Sequence, residues 1–131
     1  MMTDATILVL SAILTWLMLG TSSGLRSRCW ELGGIARACG NRDDLGEPTP
    51  LAGRADRAAK NMLENLAMVT ALIAAVHFAG KASATATLGA NIFFWSRVAY
   101  WPCYLAGIRH LRTAIWLVSV AGMGMIAAAL W

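Results

Sequence analysis

Residues 54–64 read Arg-Ala-Asp-Arg-Ala-Ala-Lys-Asn-Met-Leu-Glu, and the sixteen residues that follow, 65–80, carry no formal charge. Wound as a helix, the stretch sets Arg54, Arg57, Asn61 and Glu64 at spacings of three, four and three, on one face. A polar face therefore runs straight into an apolar segment. Translocon scales put a mid-helix charge at about 2.5–3.5 kcal/mol, so such residues survive by facing protein, pairing, or holding a polar ligand. The plainer reading, a first helical turn lying in head-group water, suits Arg54 better than Asn61 or Glu64.

Composition makes the bilayer the expected solvent. Of 131 residues, 58% are hydrophobic and only 14% are charged, where a soluble domain carries about a quarter. Charge-free runs mark out four spans, at about 5–25, 60–79, 83–107 (interrupted by Arg97) and 113–131. The first and last hold 21 and 19 uncharged residues, and at about 1.5 Å per residue each crosses a hydrocarbon core of roughly 30 Å. Short connections between them predict an all-α, four-transmembrane-helix up-down bundle in a single domain, 1–131. Asp4 is the only charge before the first apolar run, and Arg26 and Arg28 follow it. That run reads as a permanent span and not a cleaved leader.

Charge placement predicts orientation. Arg26, Arg28, Arg37, Arg42, Arg54, Arg57, Lys60, Arg109 and Arg112 fall on one side, against Lys81 on the other. The positive-inside rule then puts loops 26–60 and 107–112 in the cytoplasm and both termini outside. The net charge of +4 is accounted for by topology, and no nucleic-acid partner is expected. Cys29, Cys39 and Cys103 form no CxxC pair, and His77 stands far from His110. No metal site is expected, and cytoplasmic loop cysteines should be free thiols.

Local signals refine the layout. Thr49-Pro50 suits a helix start, with Thr as N-cap and Pro in the first helical position. Residues 29–50, rich in Gly, Asp and Pro, read as a polar loop. Ser11 and Thr15 can close hydrogen bonds within the first span, and the small residues 20–24 offer a neighbouring helix a close approach. Gly122-Met123-Gly124-Met125 reads as a packing surface. In the third span Arg97, Tyr100 and Tyr104 share a face, and Pro102 should kink the helix or free a carbonyl. The tight connection at 106–113 makes the last two spans antiparallel neighbours.

The basic end of such a bundle gathers Arg26, Arg57, Lys60, Asn61, Glu64, Arg97, Tyr100, Tyr104 and Arg112. Glu64 alone cannot neutralise these cations. An anionic, partly peptide-like ligand would: arginines for carboxylates, Glu64 for an ammonium, Asn61 and the tyrosines for amides.

Two motifs carry a family resemblance: Arg57-Ala-x-x-Asn61-x-x-Glu64, and Arg97-x-x-Tyr100-x-x-x-Tyr104 followed by Arg112-Thr113. They resemble the membrane-associated proteins in eicosanoid and glutathione metabolism, the MAPEG family, and residues 100–113 resemble its bacterial branch. The likeness covers all four spans in layout. It implies a homotrimer in a bacterial inner membrane, binding glutathione at subunit interfaces as co-substrate. By the same resemblance Arg57, Lys60, Asn61, Glu64, Arg97, Tyr100, Tyr104 and Thr113 belong to the glutathione site, joined by Arg26 from a neighbouring copy. Arg112 would sit by the thiol and favour the thiolate. Lys60 stands where some members carry Arg, and Trp116 where some synthases carry Tyr. The implied activity is a glutathione-dependent transferase or peroxidase acting on a lipophilic electrophile or hydroperoxide. Two other classes remain open: a non-catalytic lipid-binding scaffold, and a small proton-coupled exporter using Glu64.

Overall fold

A computed structural model describes residues 1–41 and 45–131; Arg42 and the Asp43-Asp44 pair lie outside the described residues. The described residues form α1 (Asp4–Ser27), α2 (Gly34–Cys39), α3 (Pro50–Phe78), α4 (Ala84–Ala106) and α5 (Arg109–Ala128). Three of the helix starts are set by side-chain caps. Thr3, Thr49 and Ser83 cap α1, α3 and α4 by accepting from the backbone N–H of Thr6, Ala52 and Ala86. Pro50 opens α3, as the Thr49-Pro50 pair predicts.

The four long helices run up and down, and contacts at each end record it. At one end His77 Nε2 meets Asp4 Oδ2 at 2.9 Å. There Asn91 also brackets Met2, its Oδ1 accepting from the Met2 N–H and its Nδ2 donating to the Met2 carbonyl. At the other end Arg54 Nε donates to the Leu105 carbonyl at 2.8 Å. Seven of the cationic residues on which the orientation was read, Arg26, Arg28, Arg37, Arg54, Arg57, Arg109 and Arg112, fall on that second end or on the loops and helix turns beside it.

Helix α1 packs along α3, and α4 along α5. The buried stripe of α1, Ile7, Ser11, Leu14, Met18 and Ser22, recurs every three or four residues and so forms one face. On α3, Met62, Val69, Ile73 and Val76 are buried along the length of that stripe, and a row of small residues, Ala52, Ala55, Ala58 and Ala59, is buried toward the end where α1 closes. Alanines at such an interface bring helix axes close without a hydrophobic force from solvent. Thr15 donates its hydroxyl to the Ser11 carbonyl at 2.7 Å, the intrahelical bond expected of it.

The α4–α5 contact is tighter still. A Cβ on Gly89 would stand 2.5 Å from the Gly122 carbonyl oxygen, and one on Gly122 would stand 2.6 Å from the Gly89 oxygen. Backbone meets backbone there, so of the expected surface 122–125 Gly122 and Met123 pack as read from the sequence, whereas Gly124 is exposed and a Cβ on it would meet nothing within 4 Å. The run at 20–24 does not behave so: a Cβ on Gly20 or Gly24 would meet nothing within 4 Å, and only Ser22 of that run is buried.

Two further expectations change. The stretch 29–50 is not all loop, because α2 forms within it. Gly34 opens α2 where a Cβ would come within 2.1 Å of the Arg28 carbonyl oxygen, so a residue typical of loops serves here to let a turn close. The span count also differs: α1, α3 and α5 are long and apolar enough to cross a membrane, whereas α4 falls outside that set. Its 23 residues are long enough, but Asn91, Ser96, Arg97, Tyr100 and Tyr104 dilute its apolarity. All five are buried, so this polarity faces protein and α4 still shows an apolar exterior at Leu88 and Trp95. The helix also runs on through Pro102 without a break.

Candidate functional site

The centre of the basic half is Arg97, the largest fully buried side chain, 1% exposed. Its Nη1 donates to Asn61 Oδ1 at 2.9 Å on α3, and its Nη2 to Ser119 Oγ at 2.7 Å on α5. The guanidinium carbon lies 5.4 Å from the Phe93 ring centre and 5.2 Å from that of Tyr100. One charge thus ties three helices together through neutral acceptors and aromatic faces. Because Arg only donates, the oxygen of the Asn61 amide must face it. The amide NH2 of Asn61 is thereby left for the adjoining space. Asn65 steadies the same turn by donating to the Asn61 carbonyl at 2.7 Å.

That space is a cleft of about 200 Å³ lined by Asn61, Tyr100, Tyr104, Arg112, Thr113 and Trp116. Tyr100 and Tyr104 meet edge to face with ring centres 5.3 Å apart, a favourable arrangement of their quadrupoles. Arg112 lies over the Tyr104 ring at 4.6 Å. Among the described residues no acceptor takes a hydrogen bond from its guanidinium. Thr113 donates its hydroxyl to the Arg109 carbonyl at 3.2 Å, which leaves its oxygen lone pairs toward the opening. The cleft therefore combines a stacked, unspent cation with two phenols and an oriented amide donor. Such a set binds an anion and stabilises negative charge beside aromatic walls.

The polar face read from residues 54–64 divides among separate surroundings. Arg54 turns to the end of α4 and satisfies the Leu105 carbonyl, one of those that a helix terminus leaves open. Asn61 turns to Arg97. Arg57 and Lys60 join Arg26 in a second cleft, about 450 Å³, between α1 and α3, with Asp56, Ser22 and Pro48 in its wall. Lys60 pairs with Asp56 at 2.8 Å, and Arg26 donates to the Leu45 and Gly46 carbonyls. Arg26 is thus engaged by its own chain. Glu64 is exposed and lines neither cleft; it lies seven residues along α3 from Arg57, which is exposed as well.

Nine of the ten residues singled out from the sequence sit in or beside the two clefts, Asn61, Tyr100, Tyr104, Arg112 and Thr113 in one, Arg97 directly behind it, Arg26, Arg57 and Lys60 in the other. Ser119 and Asn65 were not singled out. Ser119 had a signal: it is the only Ser, Thr, Asn or Gln after Thr113 in the last span. It also lies eleven residues beyond Ile108, as Arg97 lies eleven before it. Positions equally far from an antiparallel turn meet.

Comparison with known proteins adds one finding. The family described as MAPEG family matches residues 4–131, essentially the whole chain. No curated protein matches the chain, and no solved structure does.

Proposed function

The chain belongs to the MAPEG family, and from that premise we propose that it is a membrane-embedded, glutathione-dependent transferase or peroxidase. Its substrates are a lipophilic electrophile or hydroperoxide that arrives from the bilayer. The reading extends to a homotrimer of the bacterial branch, in an inner membrane, with α4 as a fourth span, both termini outside and the basic loops in the cytoplasm. The observation that carries it is Arg112: a guanidinium stacked on Tyr104, with no acceptor among the described residues, at the rim of a cleft of tyrosines and an oriented amide.

The chemistry needs a thiolate, whereas a free thiol has a pKa of about 8.5. The Arg112 charge beside the sulfur favours the ionised form, and the thiol proton passes to solvent. In conjugation the sulfur lone pair forms the sulfur–carbon bond while the leaving group departs with its electron pair. With a hydroperoxide the thiolate attacks the terminal oxygen and the O–O bond breaks. The products are an alcohol and a sulfenic acid, which a second glutathione reduces to the disulfide and water. Tyr100, Tyr104 and the Asn61 amide supply donors to the peptide groups, and Arg57 and Glu64 supply opposite charges for the carboxylate and ammonium ends.

A cleft of about 200 Å³ is below the roughly 300–1,000 Å³ of sites that enclose drug-sized ligands. It takes the thiol end and the adjoining peptide groups, and the charged ends of glutathione lie along the exposed Arg57 and Glu64. A second copy covering these two residues completes the site, which is the physical argument for an oligomer.

The test is titration of the purified protein with glutathione, read by thiolate absorbance, followed by conjugation of a chlorodinitrobenzene. Saturable binding with a thiolate signal and turnover is expected. Binding without thiolate or turnover makes the protein a lipid-binding scaffold. A protein that binds no thiol, and whose expression confers drug resistance dependent on Glu64, is an exporter.

A further inference from the structure

Between the end of α1 and α2 the charged groups pair with one another at the surface, and the large apolar ones are left facing outward. Glu31 bridges Arg28 at 3.5 Å and Arg37 at 2.9 Å, and Arg37 Nε donates to the Ser27 carbonyl at 3.2 Å. Backbone bonds add to this, Glu31 N–H to the Arg28 carbonyl and Gly34 N–H to the Glu31 carbonyl, both at 2.9 Å. Gly34 sits against the Arg28 carbonyl where no side chain fits. The segment is therefore a closed knob fixed to the end of α1. On its outside Trp30 is 69% exposed, Leu32 102% and Ile35 69%.

Three large apolar side chains presented within six residues are unusual for a polar loop, and a patch of that kind marks an interaction surface. Its depth names the partner. Helix α1 has 24 residues, about 36 Å at 1.5 Å per residue, against a hydrocarbon core of roughly 30 Å. The knob hangs from the last turn of that helix, at the boundary of acyl chains and head groups. A Trp flanked by arginines suits this boundary, where the indole is both apolar and a hydrogen-bond donor. Arg28 and Arg37 outnumber Glu31, so the rim of the patch is cationic, as anionic head groups require. We propose that residues 28–39 are an interfacial anchor. They insert Trp30, Leu32 and Ile35 into the leaflet at the C-terminal end of α1 and hold anionic lipid at their rim. The proposal stands on the membrane character of the chain alone and does not depend on glutathione.

The unaltered protein tests it first, in vesicles of phosphatidylethanolamine and phosphatidylglycerol doped with a lipid carrying a diazirine near its head group. Photolysis and peptide mapping should place lipid adducts on the 30–35 peptide and none on 45–49. Adducts on the spans with none on 30–35 overturn the proposal. A nitroxide at Leu32→Cys, with Cys29, Cys39 and Cys103 replaced by Ser, gives an independent reading. Its relaxation by oxygen should exceed that by a water-soluble nickel chelate, the reverse of a label at Glu47→Cys. Equal access of the chelate at both positions overturns the anchor, and so does dipolar coupling between labels at position 32 of two copies, which assigns the patch to a second subunit. Leu32→Asp with Ile35→Asp should lose the lipid adducts while keeping the parent's thermal midpoint in detergent; adducts that persist in this variant count against the proposal.

Discussion

Arg97 and Arg112 lie on neighbouring helices at the same end of the bundle, and the protein treats them in opposite ways. Arg97 is 1% exposed, bonded to Asn61 and Ser119 and enclosed by Phe93 and Tyr100. Arg112 is half-buried, rests on Tyr104 and bonds to no acceptor among the described residues. The first is a cation whose Nη1 and Nη2 are committed to joining α3, α4 and α5, with its Nε buried and without a partner among the described residues. The second is a cation whose donors are held in reserve. Burial alone would rank Arg97 as the functional residue, because a buried charge in a membrane protein invites that inference. Its partners argue otherwise: a guanidinium committed to neutral side chains organises the site, and the one with open donors is the one proposed to meet a ligand.

The largest effect that follows is on stability. Arg97→Ala removes both interhelix hydrogen bonds, leaves the Asn61 oxygen facing a void and opens a cavity, a loss of about 2–5 kcal/mol. The thermal midpoint in detergent should fall accordingly. Arg97→Met keeps much of the volume while discarding the buried charge, and its loss should be smaller. An Arg97→Ala protein that melts with the parent would remove the distinction between the two arginines.

The complementary change is Arg112→Ala. Removing a preorganised charge-stabilising group lowers turnover by about 10²- to 10³-fold, while stability should stay within about 0.5 kcal/mol of the parent. Thiol binding should be largely kept and the thiolate absorbance lost. Arg112→Lys, a point charge without the planar fork, should recover part of the activity. Arg109, exposed in the first turn of the same helix, is the control and should be replaceable by Ala without loss. Full turnover in Arg112→Ala beside a dead Arg109→Ala would assign the activating role to the wrong residue.

Smaller effects belong to the exposed pair outside the cleft. Arg57→Ala and Glu64→Ala should each weaken glutathione binding by about 1–3 kcal/mol, or roughly 5- to 150-fold by calorimetry. Neither should move the thermal midpoint as far as Arg97→Ala. If both bind as the parent does, the ligand does not run along α3 and the second-copy argument fails with it.

What could be read in the chain beforehand follows a physical boundary. Features set by near neighbours were legible: the Thr49 cap and Pro50 start of α3, the apolar lengths of α1 and α5, the antiparallel turn at Gly107 and the helical face joining Arg97, Tyr100 and Tyr104. Features decided by a distant partner were not. Whether a polar residue on the α3 face turns to Arg97, to Leu105 or to water depends on which helix end lies opposite. Periodicity along α3 is blind to that. Helix α2 was hidden because Gly33-Gly34 carries the same signal in a loop as in a turn that must close against Arg28. Asn91, which fastens the chain's start to α4, gave no periodic signal at all.

Arg54 supplies the smallest and most discriminating test of this boundary. By spacing it belongs with Arg57, Asn61 and Glu64, and a ligand-binding role for the whole face would include it. By structure it donates to the Leu105 carbonyl at 2.8 Å, and its side chain runs past Gly107, 3.8 Å from a Cβ there. That glycine turns the chain from α4 into α5 with φ +78, a conformation that favours residues without a Cβ. Arg54 therefore supports the end of the helix that carries both tyrosines, at a half-buried position where one hydrogen bond contributes about 1 kcal/mol. Arg54→Ala should lower the thermal midpoint slightly and leave glutathione affinity within about twofold of the parent, a difference of about 0.4 kcal/mol or less. An affinity loss equal to that of Arg57→Ala, with no change in melting, would restore the undivided face and make Arg54 a ligand residue.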